Sequence, residues 1–271
     1  MTTGPGSRAV GSDGARVRVE PVDDVTLATA LVREAGTLAD QMLKQGLETH
    51  YKTSVSDVVS AADHAAEEMV VARLTAERPE DGLVGEEGAR SPGERTWYID
   101  PVDGTYNFLS GIPYWCSAVG LVDSEGPLLG AVYYPAMDEL WVGGRDVSTT
   151  LNGQPVPDLE PRALDQVSVA TYSHPRHAVK PDRMASWQSA ISAAATVRML
   201  GSASIDLASV SSARVGIFLQ ANLHPWDWYP GAALVLGAGG VAEQLTLGDV
   251  TWQVAGNTQS VSEVKAALSA A

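Results

Sequence analysis

Asp63, the Glu86-Glu87 pair, Asp100 with Asp103, and Asp227 each fall at the end of a predicted strand or the start of a predicted helix. Side chains at such junctions can converge at one edge of a sheet, because strand ends open onto a crevice. Hard carboxylate oxygens gathered in this way suit Mg²⁺. That ion keeps several waters and takes one or two carboxylates together with substrate phosphate. No His or Cys cluster has zinc-type spacing. The histidines, His174 and His177 among them, read as surface or loop residues.

Taken singly, each acid has a plainer reading. Asp227 ahead of a helix serves as an N-cap. Asp103-Gly104 makes a turn, Glu86-Glu87 is solvated surface, and Asp63 is a first-turn charge opposite the helix dipole.

The elements that must position these residues follow from periodicity. Asp23 and Asp24 open a helix whose Leu27, Leu31, Leu38 and Met42 share a face. A second helix spans 63–77 and stops before Pro79. Strands are predicted over 83–84, 96–99, 118–122, 128–134 and 139–142, with turns at Ser124-Glu125-Gly126 and Pro135-Ala136-Met137. Beyond, strands at 167–171, 197–200, 217–220 and 241–245 alternate with helices at 182–194, 204–214, 228–236 and 261–270. That alternation predicts a layered α/β half. Residues 1–20, rich in Gly, Ser and Arg, read as a disordered tail. The three prolines in Asn152 to Pro161 mark a boundary between an N-terminal α+β half, 21–151, and a C-terminal α/β half, 152–271.

With 271 residues the chain can bury a large core. Its 18 basic residues against 33 acidic ones give a net charge of −15. Such a surface repels nucleic acid and anionic membrane. An anionic substrate then needs a local reversal of sign, which a bound divalent cation supplies. The single cysteine, Cys116, sits in an apolar run and reads as a buried small hydrophobe. No apolar stretch approaches a membrane span, and the N-terminus has no signal-peptide core, so a cytoplasmic location is expected.

In order and spacing the acidic segments resemble the inositol monophosphatase family. The resemblance rests on Gly85-Glu86-Glu87, on Trp97-Tyr98-Ile99-Asp100-Pro101-Val102-Asp103-Gly104-Thr105-Tyr106-Asn107-Phe108, and on Pro225-Trp226-Asp227. Asp57-Val58-Val59-Ser60-Ala61-Ala62-Asp63 upstream and Gly201-Ser202-Ala203 downstream also fit, so the match runs from about residue 25 to the C-terminus. The resemblance implies a layered αβαβα sandwich of the inositol monophosphatase and fructose-1,6-bisphosphatase type, assembled as a homodimer. It implies a first Mg²⁺ on Glu86, Asp100 and the Val102 carbonyl, and a second on Asp100, Asp103 and Asp227. A weaker third ion would lie near Glu86. Glu86 and Thr105 would orient the attacking water, with Asp63 fixing the Thr105 hydroxyl and Asp103 holding a water that protonates the leaving group. Gly104 and Thr105 would seat the phosphate, Ser202, Ala203 and Gln220 would meet the rest of the substrate, and Lys52 would stand near the metals. Lithium inhibition would follow by analogy.

The chain departs from the family pattern at three places. Gln220 stands seven residues before Asp227, where the family usually has a glutamate that contacts inositol hydroxyls. An amide keeps hydrogen bonding but loses the charge. Pro230 replaces a small residue after Trp-Asp, in what is expected to be the first helical turn, with Trp228 and Tyr229 expected to add bulk beside the pocket. Tyr106 follows Asp-Gly-Thr and is expected at the substrate mouth. The expected reaction is hydrolysis of inositol 1-phosphate. The rivals are the same chemistry on fructose 1,6-bisphosphate, histidinol phosphate or 3′-phosphoadenosine 5′-phosphate, and a non-catalytic metal- or phosphate-binding relative.

Overall fold

The computed structural model describes residues 1, 23–45, 49–51, 58–175 and 181–270. Apart from Met1, the expected tail lies outside the described residues, as do Lys52, Asp57 and His177. Helix α1 (Asp24–Gln45) is capped by Asp23, whose carboxylate accepts the Thr26 N–H at 2.9 Å. Leu27 and Leu31 are fully buried on its inner face, as the spacing predicts. A short antiparallel ribbon, β1 (Thr49–Tyr51) and β2 (Val58–Ser60), leads into helix α2 (Ala61–Glu77).

The next segments are β3 (Gly82–Gly85), β4 (Arg90–Ser91), β5 (Thr96–Asp103), the short helix α3 (Thr105–Leu109), β6 (Cys116–Asp123), β7 (Gly126–Tyr134), β8 (Glu139–Gly144), β9 (Val147–Leu151) and β10 (Gln154–Pro155). Their strands form one sheet in the order β10-β9-β8-β7-β6-β5-β3-β4. Within it β3 and β5 run parallel and the other neighbours antiparallel.

The chain continues through β11 (Ser168–Thr171), α4 (Pro181–Ile191), β12 (Thr196–Arg198), α5 (Ala203–Ser211), β13 (Ile217–Ala221), α6 (Pro225–Gly237), β14 (Val241–Leu247), β15 (Val250–Gly256) and α7 (Thr258–Ala270). The second sheet has the order β12-β11-β13-β15-β14.

Four apolar clusters separate five layers. Residues of α1 and α2 such as Leu31 and Leu74 cover one face of the first sheet. Ile205, Ala208 and Leu234 of α5 and α6 cover its other face. The opposite sides of α5 and α6, with Leu207 and Trp228, lie on the second sheet through Phe218. Val261, Val264 and Leu268 of α7 close the outer face. The fold is thus the expected αβαβα sandwich.

Helix α6 is seated unusually close. Gly120, Gly130 and Gly143 are register partners across β6, β7 and β8. A Cβ on Gly130 would stand 2.0 Å from the Pro230 carbonyl oxygen, and one on Gly120 would stand 2.8 Å from the Pro230 nitrogen. The Thr149 hydroxyl donates to the Leu234 carbonyl at 2.7 Å, fixing the far end.

Two expectations need correction, and one strand was missed. Helix α6 begins at Pro225, where proline fits the first helical position because no intrahelical bond is lost there. Pro230 therefore lies inside the helix, past its first turn, and lies against the two glycines. Trp228 is 2% exposed and belongs to the core with Phe218 and Leu207, so it adds nothing to a pocket wall. Strand β15 escaped the sequence reading because its residues from Trp252 to Gly256 are buried on both faces, which erases the alternation that marks a strand.

Candidate metal centre

Parallel pairing of β3 with β5 brings Gly85 opposite Ile99, and the Glu86 N–H donates to the Ile99 carbonyl at 3.1 Å. Glu86 thereby stands beside Asp100 at the carboxyl ends of two adjacent strands. Asp100 and Asp103 are three residues apart, which in a regular strand would put them on opposite faces. A bulge corrects this. Asp100 pairs with Ala118 and Asp103 with Cys116, so β5 carries one extra residue against β6. Pro101 lies in the bulge, and its carbonyl accepts the Ser117 hydroxyl at 2.5 Å.

The bulge aims both aspartates at the N-terminus of α6. Asp227 is not the N-cap of that helix; His224 is. The Asp227 carboxylate instead lies in the first turn and reaches back to the His224 N–H. Carboxylate oxygens of Asp100, Asp103 and Asp227 lie within 4.8 Å of one another, and so do those of Asp63, Glu86 and Glu87.

Asp103 is gripped by α5. One of its oxygens accepts the Ser202 hydroxyl at 2.8 Å and the Ser204 N–H at 2.5 Å. Ser202 also caps the helix by accepting the Ile205 N–H at 3.3 Å. Its hydroxyl is buried and donates to Asp103, so it holds a carboxylate. Ala203, the first residue of α5, is half-buried beside it. Cys116 is buried as expected, with its sulfur 3.6 Å from the Ser202 hydroxyl.

Gly104, with φ 97°, adopts a left-handed conformation that opens α3. A side chain there would also crowd the Tyr114 and Gly201 carbonyls at 3.0 and 3.2 Å. The Thr105 hydroxyl lies 3.0 Å from the Val102 carbonyl and 3.5 Å from an Asp63 oxygen. Tyr106 beside it is exposed.

Glu67 was missed by the sequence reading. Its buried carboxylate accepts the Glu87 N–H at 2.8 Å and the Ala89 N–H at 3.0 Å, and so shapes the turn that carries Glu86. Gly85 is required there, since a Cβ would stand 2.3 Å from a Glu67 oxygen. The signal lay one helical turn from Asp63, on the same face as Val70 and Leu74.

Alternation along β13 puts Gln220 on the same face as Phe218, the face covered by α5 and α6. Gln220 thus faces the layer that carries Asp227.

Crowding of like charge dominates the electrostatics. Burial first, and then Asp227, Glu87 and Asp103, push Glu86 up to about 8. Burial and then Asp103 push Asp227 up to about 7. Asp100 is raised well above the carboxylate range by burial, then by Glu86, Asp103 and Asp227. Asp63 is raised by burial, then by Glu86 and Glu87. Both carboxylate oxygens of Asp100 are buried and accept no hydrogen bond among the described residues. A buried anion without donors is held only at high cost unless a cation joins it. The all-oxygen donor set fits a hard divalent cation.

A model of the inositol monophosphatase family matches residues 20–269. The chain is 30% identical over 223 residues to a fructose-1,6-bisphosphatase/inositol-1-monophosphatase of Thermotoga maritima, covering 81% of this chain and 84% of that one. It is 35% identical over 190 residues to an inositol-1-monophosphatase of Rhizobium meliloti, covering 68% and 71%. Among solved structures, the extragenic suppressor protein SuhB of Bartonella henselae matches with a TM-score of 0.80 at 27% identity, covering 90% of this chain and 97% of that one.

Proposed function

Since this chain belongs to the inositol monophosphatase family and is a metal-dependent phosphatase of that type, we propose that it uses Mg²⁺ to hydrolyse inositol 1-phosphate to inositol and phosphate. The observation that carries the reading is Asp100, whose two buried oxygens have no donor among the described residues and lie in the field of Glu86, Asp103 and Asp227.

In this reading Glu86, Asp100 and the Val102 carbonyl would hold one ion, and Asp100, Asp103 and Asp227 would hold another, with a weaker third near Glu86. Bound divalent cations supply charge that makes water a nucleophile and stabilises the leaving oxygen. Glu86 and Thr105 orient the attacking water and take its proton, which needs the hydrogen-bond reach that the Asp63–Thr105 contact keeps. Asp103, fixed by Ser202 and Ser204, holds the water that returns a proton to the leaving alkoxide. The first-turn N–H groups of α3 after Gly104 face the phosphate, since helix geometry leaves them without intrahelical acceptors. Gln220 meets the polyol hydroxyls through its amide. The expected assembly is a homodimer, and lithium would inhibit by taking one Mg²⁺ position. Among the described residues no helix is long and apolar enough to cross a membrane, and we place the enzyme in the cytoplasm.

A second reading keeps the chemistry and changes the substrate to fructose 1,6-bisphosphate. It is favoured by the double name of the Thermotoga maritima relative and by the missing charge at Gln220. Phosphate release from inositol 1-phosphate, fructose 1,6-bisphosphate, histidinol phosphate and 3′-phosphoadenosine 5′-phosphate separates the two. The proposal expects inositol 1-phosphate to give the highest kcat/KM. It also expects Gln220→Glu to raise the preference for it by about tenfold, through one added charge-assisted hydrogen bond. A negligible rate on inositol 1-phosphate beside any of the others overturns it.

A further inference from the structure

Arg90 lies outside both carboxylate groups and outside every motif of the sequence reading. It is exposed, and among the described residues it forms no salt bridge. Its guanidinium is nevertheless engaged on two sides. One terminal nitrogen donates to the Gly85 carbonyl and, at 2.6 Å, to the Ala89 carbonyl. The guanidinium carbon lies 5.4 Å from the centre of the Trp226 ring, within cation–π range. The other aromatic neighbour of Trp226 is His224, stacked at 4.9 Å with an interplanar angle of 5°.

These contacts join two segments far apart in sequence. Gly85 and Ala89 flank the turn that carries Glu86 and Glu87, while Trp226 precedes Asp227 at the start of α6. Glu67 satisfies the N–H groups of the turn from below, and Arg90 satisfies its carbonyls. Of these two side chains, Arg90 is the one that reaches across to α6. Lysine would not substitute, because a point-like ammonium lacks the flat face that stacks on an indole.

We infer that Arg90 is a positioning residue that sets the distance between Glu86 and Asp227, and through it the spacing of the two ions the site binds. The inference rests on the metal reading proposed above. Outer contacts that orient metal ligands typically change metal affinity by about 10- to 100-fold when removed.

Mn²⁺ serves as the probe, since a pair of bound Mn²⁺ ions gives a spin-coupled paramagnetic resonance signal without any turnover. Wild type, Arg90→Lys, Arg90→Met and Trp226→Leu are titrated with Mn²⁺ by calorimetry and resonance, and their melting temperatures are recorded with chelator present. Arg90→Met is expected to weaken binding of one ion by about tenfold and to diminish the coupled signal. Arg90→Lys should behave like Arg90→Met. The double variant Arg90→Met/Trp226→Leu should be no weaker than Trp226→Leu alone, because the two residues act as one contact. Unchanged affinity and coupling in Arg90→Met, whatever its melting temperature, would overturn the inference, and so would full rescue by Arg90→Lys. Absence of a coupled pair in the wild type would instead overturn the metal reading itself.

Discussion

Asp100, Asp103 and Asp227 stand on a strand bulge and a helix N-terminus, whereas Asp63, Glu86 and Glu87 stand on a helix face and a tight turn. Both groups reach the interior, Asp63 being as buried as Asp100, and they differ in how they are held. Asp100 and Asp103 are 1% and 7% exposed, and Asp103 is held by two donors from α5. Glu86 is half-buried, the Glu87 side chain is buried, and the exposed His64 reaches Glu87 at 3.2 Å. The difference teaches where the chain keeps its charge fixed and where it lets charge adjust. A bulge inside the first sheet, covered by helices on both faces, cannot shift without disturbing the core. The turn of Glu86 and Glu87 is held instead by side chains, Glu67 on its N–H groups and Arg90 on its carbonyls.

The sharpest way to break this comparison is to neutralise one acid in each group. Asp103→Asn should lower kcat/KM by roughly a thousandfold, since it removes a ligand charge from the fixed group. Glu87→Gln should cost no more than about tenfold, because its neighbourhood can rearrange. Steady-state kinetics at saturating Mg²⁺ measure both. Equal losses would show that the two groups are not different in kind.

Removing the residues that hold each group gives smaller effects. Glu67→Ala strands two N–H groups of the turn, and should destabilise by about 2 kcal/mol while raising the half-saturating Mg²⁺ concentration about tenfold. Ser202→Ala loses a helix cap, worth about 1 kcal/mol, but leaves the Ser204 N–H on Asp103, so its Mg²⁺ requirement should move by no more than about threefold. Urea unfolding and Mg²⁺ titration of the two variants give the contrast directly.

The pH dependence of stability is the gentlest probe. In the metal-free protein Glu86 is raised to about 8 and Asp227 to about 7. The folded state therefore binds more protons than the unfolded chain between the ordinary carboxylate range and those values. Stability should fall as pH rises from about 4 to about 8, and added Mg²⁺ should abolish the fall. Melting temperatures at both ends of that window, with chelator and with Mg²⁺, check the sign. A metal-free protein that gains stability with rising pH would contradict it.

Much of this was legible in the sequence. The buried faces of α1 and α2 follow helical spacing, and β5, β6 and β7 follow their apolar runs. Sequence order also singled out Glu86, Asp100, Asp103 and Asp227, which the fold does bring together. The bulge was not legible, because it depends on how β5 registers against β6, and no local pattern encodes register. Arg90 escaped for the same reason: its meaning lies in Trp226, far along the chain. Pro230 misled because Pro225 starts the helix earlier than the apolar pattern does. The bond from the Ser202 hydroxyl to Asp103 was not legible either, because the two residues are far apart in the chain.

Asp100 lies at the junction of the two groups, so its charge is the most direct test of the central claim. Phosphate release by wild type and Asp100→Asn is followed as Mg²⁺ is titrated into chelator-treated protein, with circular dichroism confirming the fold. The wild type should be inactive without Mg²⁺ and saturate with it, and Asp100→Asn should stay folded and silent at every concentration. Turnover that survives the chelator, or that persists in Asp100→Asn, would contradict a metal-dependent phosphatase built on this cluster.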